Sequence, residues 1–314
     1  MAATDTGDDP WSYSTAARVD ANPDAFAKLM TSRQRLVFPL LFVLLWSTGF
    51  IGARLGLPHT QPLTFLLIRY LIVIACMTLI AIATRAPWPQ SPVVWLHIGV
   101  AGLLVHGIYL GGVFIAISRG LPAGVASLVV GVQPLLTAVG AGWLLGAVVS
   151  SRQWIGLIMG LLGVGLVVSG KLGAEFDLQA LLPAVVALVG ITAGTLYQKR
   201  YCPAFDWRTG SVAQFVPAAM ATGILAWLTE SFHVEWSGEF IFALSWLVLV
   251  LSIGAVSLLN WLIRHSNAVN VASLFYLVPP CTALFAWLLF GDGLSATALL
   301  GMGLAVWGVY LARR

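Results

Sequence analysis

The chain has 314 residues, of which 59% are hydrophobic and only 9% charged, against about 25% charged in a typical soluble domain. Too few polar side chains remain to cover a water-soluble fold of this size, so the composition excludes a soluble globular protein and points to lipid as the solvent. The net charge of +4 does not signal nucleic acid, because the basic residues are dispersed rather than gathered into one patch.

Residues 1–33 are polar, carry five acids and contain no apolar core of the signal-peptide kind, so they read as a disordered cytoplasmic tail ahead of an uncleaved first span. Ten apolar runs follow, at 36–57, 63–84, 93–117, 123–145, 154–168, 178–197, 212–228, 240–263, 271–290 and 297–311. Each is close to the roughly 20 residues that cross a bilayer. Unbroken runs of this kind are helices, because a helix satisfies its own backbone groups where lipid offers no partner. The expected fold is therefore an all-α membrane protein of ten transmembrane helices.

Charge placement orients it. One side collects Arg18, Lys28, Arg33, Arg35, Arg85, Arg152, Lys199, Arg200, Arg208, Arg264, Arg313 and Arg314, and the other only Arg54, Arg119 and Lys171. The excess belongs on the cytoplasmic side, so both termini are expected there, in the inner membrane.

The two halves repeat at an offset of about 145 residues. Val125-Ala126-Ser127-Leu128 recurs as Val271-Ala272-Ser273-Leu274, Pro134 as Pro280, Gly146 as Gly291, Gly156 as Gly301 and Gly163 as Gly308. Earlier in each half, Ser47-Thr48-Gly49 matches Thr192-Ala193-Gly194, and Arg69 falls opposite Gln214. The expected repeats are 34–170 (helices 1–5) and 176–314 (helices 6–10). Five helices per repeat is an odd number, so the second repeat enters the membrane inverted. Inverted repeats are a recurrent transporter architecture, with the substrate site near the midplane between the halves.

The same residues carry a family pattern. Trp46-Ser47-Thr48-Gly49-Phe50 through Arg54-Leu55-Gly56 to Arg69, then Val125-Ala126-Ser127-Leu128, Pro134 and Trp154-Ile155-Gly156, resemble the first repeat of the EamA-type family of the drug/metabolite transporter superfamily. Ala272-Ser273-Leu274, Pro280, Gly291-Asp292 and Gly301 resemble the second. The resemblance implies ten helices around a central cavity with the fifth and tenth peripheral. It also implies transport of metabolites, often export of amino acids or related compounds, across a bacterial inner membrane. The first copy departs from the pattern, with Ala147 where the second keeps Asp292.

Several residues are candidates for the site. Arg69 is a cation within a span, and such a group usually faces a bundle interior or an aqueous cavity. It is a candidate for a substrate carboxylate, or equally for bracing helices through hydrogen bonds. His106, near the middle of the third span, titrates near neutral pH. It is a candidate for substrate binding or proton coupling, against the plainer role of a hydrogen-bonded interhelical histidine. Trp46, Ser47, Thr48, Tyr109, Gln133, Thr192, Gln214, Asn260 and Tyr276 complete the candidate lining. Gly49, Pro134, Gly194, Pro279 and Pro280 are expected as hinge or packing positions. Gly107/Gly111, Gly142/Gly146 and Gly156/Gly160 have the spacing of close helix packing.

No Asp or Glu lies between Asp24 and Glu175, and none falls near the middle of a span. That argues against a carboxylate proton relay and a divalent-cation cage. Cys76, Cys202 and Cys281 have no metal-ligand spacing, so neither metal nor cofactor is expected. An intramembrane enzyme lacks its acid clusters, paired aspartates, His-Glu-x-x-His run or Gly-x-Ser-x-Gly turn. A passive channel or a sensor on the same scaffold is the other rival. The expected function is a secondary transporter exporting small metabolites such as amino acids. Its partners are the substrate and the lipid bilayer, without nucleic acid and with a homodimer left open.

Overall fold

A computed structural model describes residues 32–121, 123–169, 178–202, 205–291 and 293–313. The tail over residues 1–31 and Asp292 lie outside the described residues. Nine described helices are long and apolar enough to cross a membrane: α1 (Val37–His59), α2 (Pro62–Ala83), α3 (Pro92–Ser118), α4 (Val125–Leu145), α5 (Ser151–Ser169), α6 (Gln179–Tyr201), α7 (Trp207–Thr229), α8 (Gly238–His265) and α9 (Ala268–Phe290). A shorter apolar helix, α10 (Ala296–Ala312), completes the set. The one β feature among the described residues is an isolated antiparallel bridge between Thr60 and Val234.

The repeat is visible as matching irregularities. α3 widens into a π-helical segment over Leu103–Leu110, and α8 does the same over Leu247–Ala255. α4 is interrupted after Val130 and resumes at Gln133 with Pro134 in its first turn, where a proline has no helical hydrogen bond to lose. α9 tightens into a 3₁₀ turn at Leu274–Leu277 and resumes at Val278, with Pro279 and Pro280 in the corresponding first turn. Both helices then end on a left-handed glycine, Gly146 at φ 63° and Gly291 at φ 69°, a conformation that a residue without a Cβ adopts at no steric cost. Gly146 is therefore a helix terminator, and Gly142 meets only Ala147 O, so this pair does not pack helices. Gly111 likewise has no neighbour where a Cβ would stand.

The glycines of α5 and α10 do pack helices. A Cβ on Gly156 would stand 2.6 Å from Gly308 O, and one on Gly301 would stand 2.5 Å from Gly163 O. Gly156 and Gly301 are repeat mates, as are Gly163 and Gly308. Each therefore touches the mate of the residue that touches its own mate, which is the contact pattern of a two-fold axis. The axis passes between α5 and α10, and it inverts one five-helix repeat onto the other. Gly49 meets Leu251 of α8, while its mate Gly194 meets Leu104 and Val105 of α3, so the α1–α8 contact is repeated as α6–α3. Both glycines sit inside continuous helices, as packing positions.

Candidate functional site

The centre of the bundle is aromatic. Trp46 stacks on Tyr109 at 6.4 Å and meets Phe275 edge-on at 5.5 Å. Two cavities of about 20 and 10 Å³ share Trp46, Phe50 and Tyr109 as walls, little more than room for single waters.

Arg69 of α2 is completely buried beside this cluster. Its Nε donates to Ser252 Oγ of the α8 π segment at 2.8 Å, while Nη1 and Nη2 have no hydrogen-bond partner. Tyr70, Tyr109 and His106 lie within electrostatic reach of the guanidinium. His106 sits in the α3 π segment with both ring nitrogens unpartnered, its ring stacked 4.1 Å from Phe215. Tyr70 Oη donates to the backbone carbonyl of His106 at 2.7 Å, which fixes the π segment against α2. The sequence reading missed Ser252. The repeat held a signal for it, because Ser252 occupies the position in the second copy that His106 occupies in the first. π segments recur at functional sites because the wide turn re-aims side chains.

Gln214, the repeat mate of Arg69, lies beside His106, but its amide is engaged elsewhere. Gln198 donates to Asn260 (2.9 Å), Asn260 to Gln214 (3.1 Å) and Gln214 to Gln198 (3.1 Å). This closed ring of three buried amides ties α6, α7 and α8 together. Gln198 was not among the expected residues.

The other candidates are placed as follows. Ser47 Oγ bonds Val43 O at 2.7 Å and reaches Val278 O of α9 at 3.3 Å, so it joins α1 to α9. Thr48 accepts from Trp246 Nε1 at 2.9 Å and faces a separate apolar groove of about 480 Å³ between α1, α8 and α9. Thr192 returns its hydroxyl to Leu188 O of its own helix. None of these three lines the central cavities. Gln133 and Tyr276 are buried with unpartnered polar atoms, and the Tyr276 ring fills the space left by Gly160 of α5.

Loops latch both ends of the bundle. At one end Glu230, just past α7, accepts from Leu63 N (2.8 Å), Thr64 N (2.6 Å) and Thr64 Oγ1 (2.7 Å) at the start of α2. His59 lies 3.2 Å from Glu235 and 3.6 Å from Glu239 at the same end. At the other end Thr209, the repeat mate of Thr64, donates to Pro87 O at 2.8 Å. Lys199 Nζ there caps the end of α8 through Ile263 O (2.6 Å) and Ser266 O (2.8 Å). Arg208 holds the Asp206 carboxyl below the usual carboxylate range through direct hydrogen bonds at 2.9 and 2.6 Å. Thr64 and Thr209 occupy equivalent places, but of these two only the Thr64 contact, to the Glu230 carboxylate, is charge-assisted, and such bonds are the stronger kind. Glu230→Ala removes three hydrogen bonds at once and is expected to loosen that end. Spin labels at Pro58→Cys and His233→Cys should report longer and broader separations than in the unmutated background. An unchanged distribution would show that Glu230 does not hold the latch.

Comparison with known proteins decides the family, because the family model described as the EamA-like transporter family matches the chain twice, over residues 35–169 and 178–314. The chain belongs to the EamA-like transporter family. An uncharacterized transporter of Bacillus subtilis, YvbV, is 26% identical over 90% of this chain and 92% of its own. A protein of Escherichia coli named as a probable amino-acid metabolite efflux pump is 26% identical, covering 89% of this chain and 95% of its own. An uncharacterized inner membrane transporter of Escherichia coli, YedA, is 26% identical over 90% and 92%. One crystal structure superposes with a TM-score of 0.72 at 21% identity, covering 90% of this chain and 97% of that one, a likeness of fold. The chain is thus a multi-pass membrane transporter.

Proposed function

We propose that this transporter exports a small metabolite bearing a carboxylate, such as an amino acid or related zwitterion, across the inner membrane by alternating access between its two inverted repeats. The observation that carries this reading is Arg69. A fully buried guanidinium has one bond to Ser252 and two unpartnered nitrogens, and the chain has no Asp or Glu near the middle of a span. A buried charge is costly unless paired, so the missing partner is an anion that visits. The two free Nη groups present the planar fork that suits a carboxylate. Positive residues at both termini favour a cytoplasmic placement of that end. The inverted duplication favours a carrier over a passive channel on the same scaffold. The family name, and the relative named for amino-acid metabolite efflux, support the same reading.

The test is counterflow in proteoliposomes. Trapped zwitterionic amino acids should drive uptake of the labelled compound, whereas matched amines or amides without a carboxylate should not. Equal counterflow from amines would overturn the carboxylate reading, and flux without counterflow would overturn the carrier.

A further inference from the structure

A second group of orphaned polar atoms lies on α4 and α9, apart from Arg69. Gln133 and Thr137 sit one turn apart on one face of the second half of α4, and both are fully buried. Neither amide atom of Gln133 nor Thr137 Oγ1 has a hydrogen-bond partner. Gly140 continues this face, and a Cβ there would run into Leu196 of α6. The first turns of α9, Ala268–Ser273, pack on the same half of α4. They bring Asn270, whose enclosed Oδ1 is also unpartnered. α4 finishes and α9 begins at the end of the bundle that carries both termini, so this seam lies in that half of the membrane.

The fold does not require the seam to be polar. The repeat mates of Gln133, Thr137 and Asn270 are Pro279, Ala283 and Gly124. The opposite half therefore builds the equivalent seam without a side-chain hydrogen-bonding group at any of the three places. Unsatisfied buried amides are uncommon in folded proteins and call for a specific reason. Here the unmatched atoms are three oxygens and one amide nitrogen, all uncharged, from side chains on two helices that each carry a break. Oxygens of neutral side chains accept from ammonium groups and from water.

We propose that the seam between α4, α6 and α9 is the closed form of the access path from the terminus-bearing end. In the state open to that end it becomes wet, and Gln133, Thr137 and Asn270 receive the ammonium group of the substrate before its carboxylate reaches Arg69. This rests on the zwitterion reading for the order of events. The wetting of the seam and its preference for cations can be measured without any substrate.

The probes are two hydrophilic thiol reagents of opposite charge, a trimethylammonium-bearing and a sulfonate-bearing methanethiosulfonate. The background is the full chain with Cys76, Cys202 and Cys281 replaced by serine. Thr137→Cys and Asn270→Cys are each expected to react when the cationic reagent is applied from the terminus-bearing side. After normalisation to a free thiol in solution, the cationic reagent should be faster by at least threefold. Ala283→Cys, at the equivalent place in the other half, should be at least tenfold slower from that side. If Thr137→Cys stays unreactive in protein that still transports, or the sulfonate reagent is equally fast, the proposal fails. Because reactivity at these positions does not involve Arg69, that failure would leave the carboxylate reading to be judged by counterflow alone.

Discussion

Arg69→Gln is expected to weaken the apparent affinity for carboxylate-bearing substrates by roughly ten- to a hundredfold while leaving thermal stability unchanged or slightly higher. The affinity loss follows from one charge-assisted contact of about 1.5–3 kcal/mol. The stability forecast comes from the packing of Arg69. Only Nε is bonded within the protein, to Ser252 Oγ at 2.8 Å, while the charge itself is buried without a carboxylate. Replacing an unpaired buried charge by a neutral group removes a desolvation cost, and mutational experience with buried ion groups runs in that direction. Gln214, the repeat mate, is the native precedent for an amide in this helix register. Arg69→Lys should fall between the two in affinity, since it keeps the charge but loses the planar fork. Melting temperature and substrate ranking are to be measured on the same samples. A lowered melting temperature with unaltered ranking would mean that Arg69 braces helices and binds nothing.

Ten helices, their limits and their duplication were legible because each leaves a mark on the linear chain: an apolar run, a charge at one end, a recurrence at one offset. Observed limits differ from the expected ones by a few residues, as at α7, which begins at Trp207 rather than at residue 212. The interruptions of α4 and α9 were signalled by Pro134, Pro279 and Pro280. The π segments were not, since a run such as Leu103–Leu110 has no residue that demands a wider turn; contacts such as Tyr70 to the His106 carbonyl hold it.

The site was legible in part for the same reason. Arg69, His106, Gln133, Gln214 and Asn260 stand out in an apolar chain as polar groups at span depth, and the structure buries them all. Whether a hydroxyl is available is another matter. Ser47, Thr48 and Thr192 each donate to a carbonyl three or four residues earlier in their own helix, a local alternative open to Ser and Thr in helices. No residue pattern reveals that choice. Gln198 escaped notice because it lies near a span end, beside Lys199 and Arg200, where an amide passes for a surface group until α7 and α8 close over it.

A large loss of stability is expected from the glycines between α5 and α10. In lipid no hydrophobic driving force holds two apolar helices together, so close van der Waals approach has to supply the attraction. A Cβ on Gly301 would stand 2.5 Å from Gly163 O and 2.7 Å from Val167 N, and one on Gly308 would stand 2.5 Å from Gly160 N. These are backbone atoms, which cannot swing aside as a side chain can. Gly301→Val and Gly308→Val should therefore force the helices apart, with a cost of at least the roughly 1–3 kcal/mol typical of overpacking and a loss of transport. The two-fold relation adds a sharper expectation: Gly156→Val, on the other helix, should cost about as much as its mate Gly301→Val. Gly303 and Gly165 serve as internal controls, because nothing lies within 4 Å of a Cβ at either place. Valine at Gly303 or Gly165 tests β-branching in a helix without any clash, a propensity effect of well under 1 kcal/mol relative to alanine. Melting temperatures of the five variants in one detergent should fall into two groups, three low and two near the parent. If Gly303→Val proves as damaging as Gly301→Val, the loss comes from altering α10 itself, and the close seam on the two-fold axis is not what holds the repeats together.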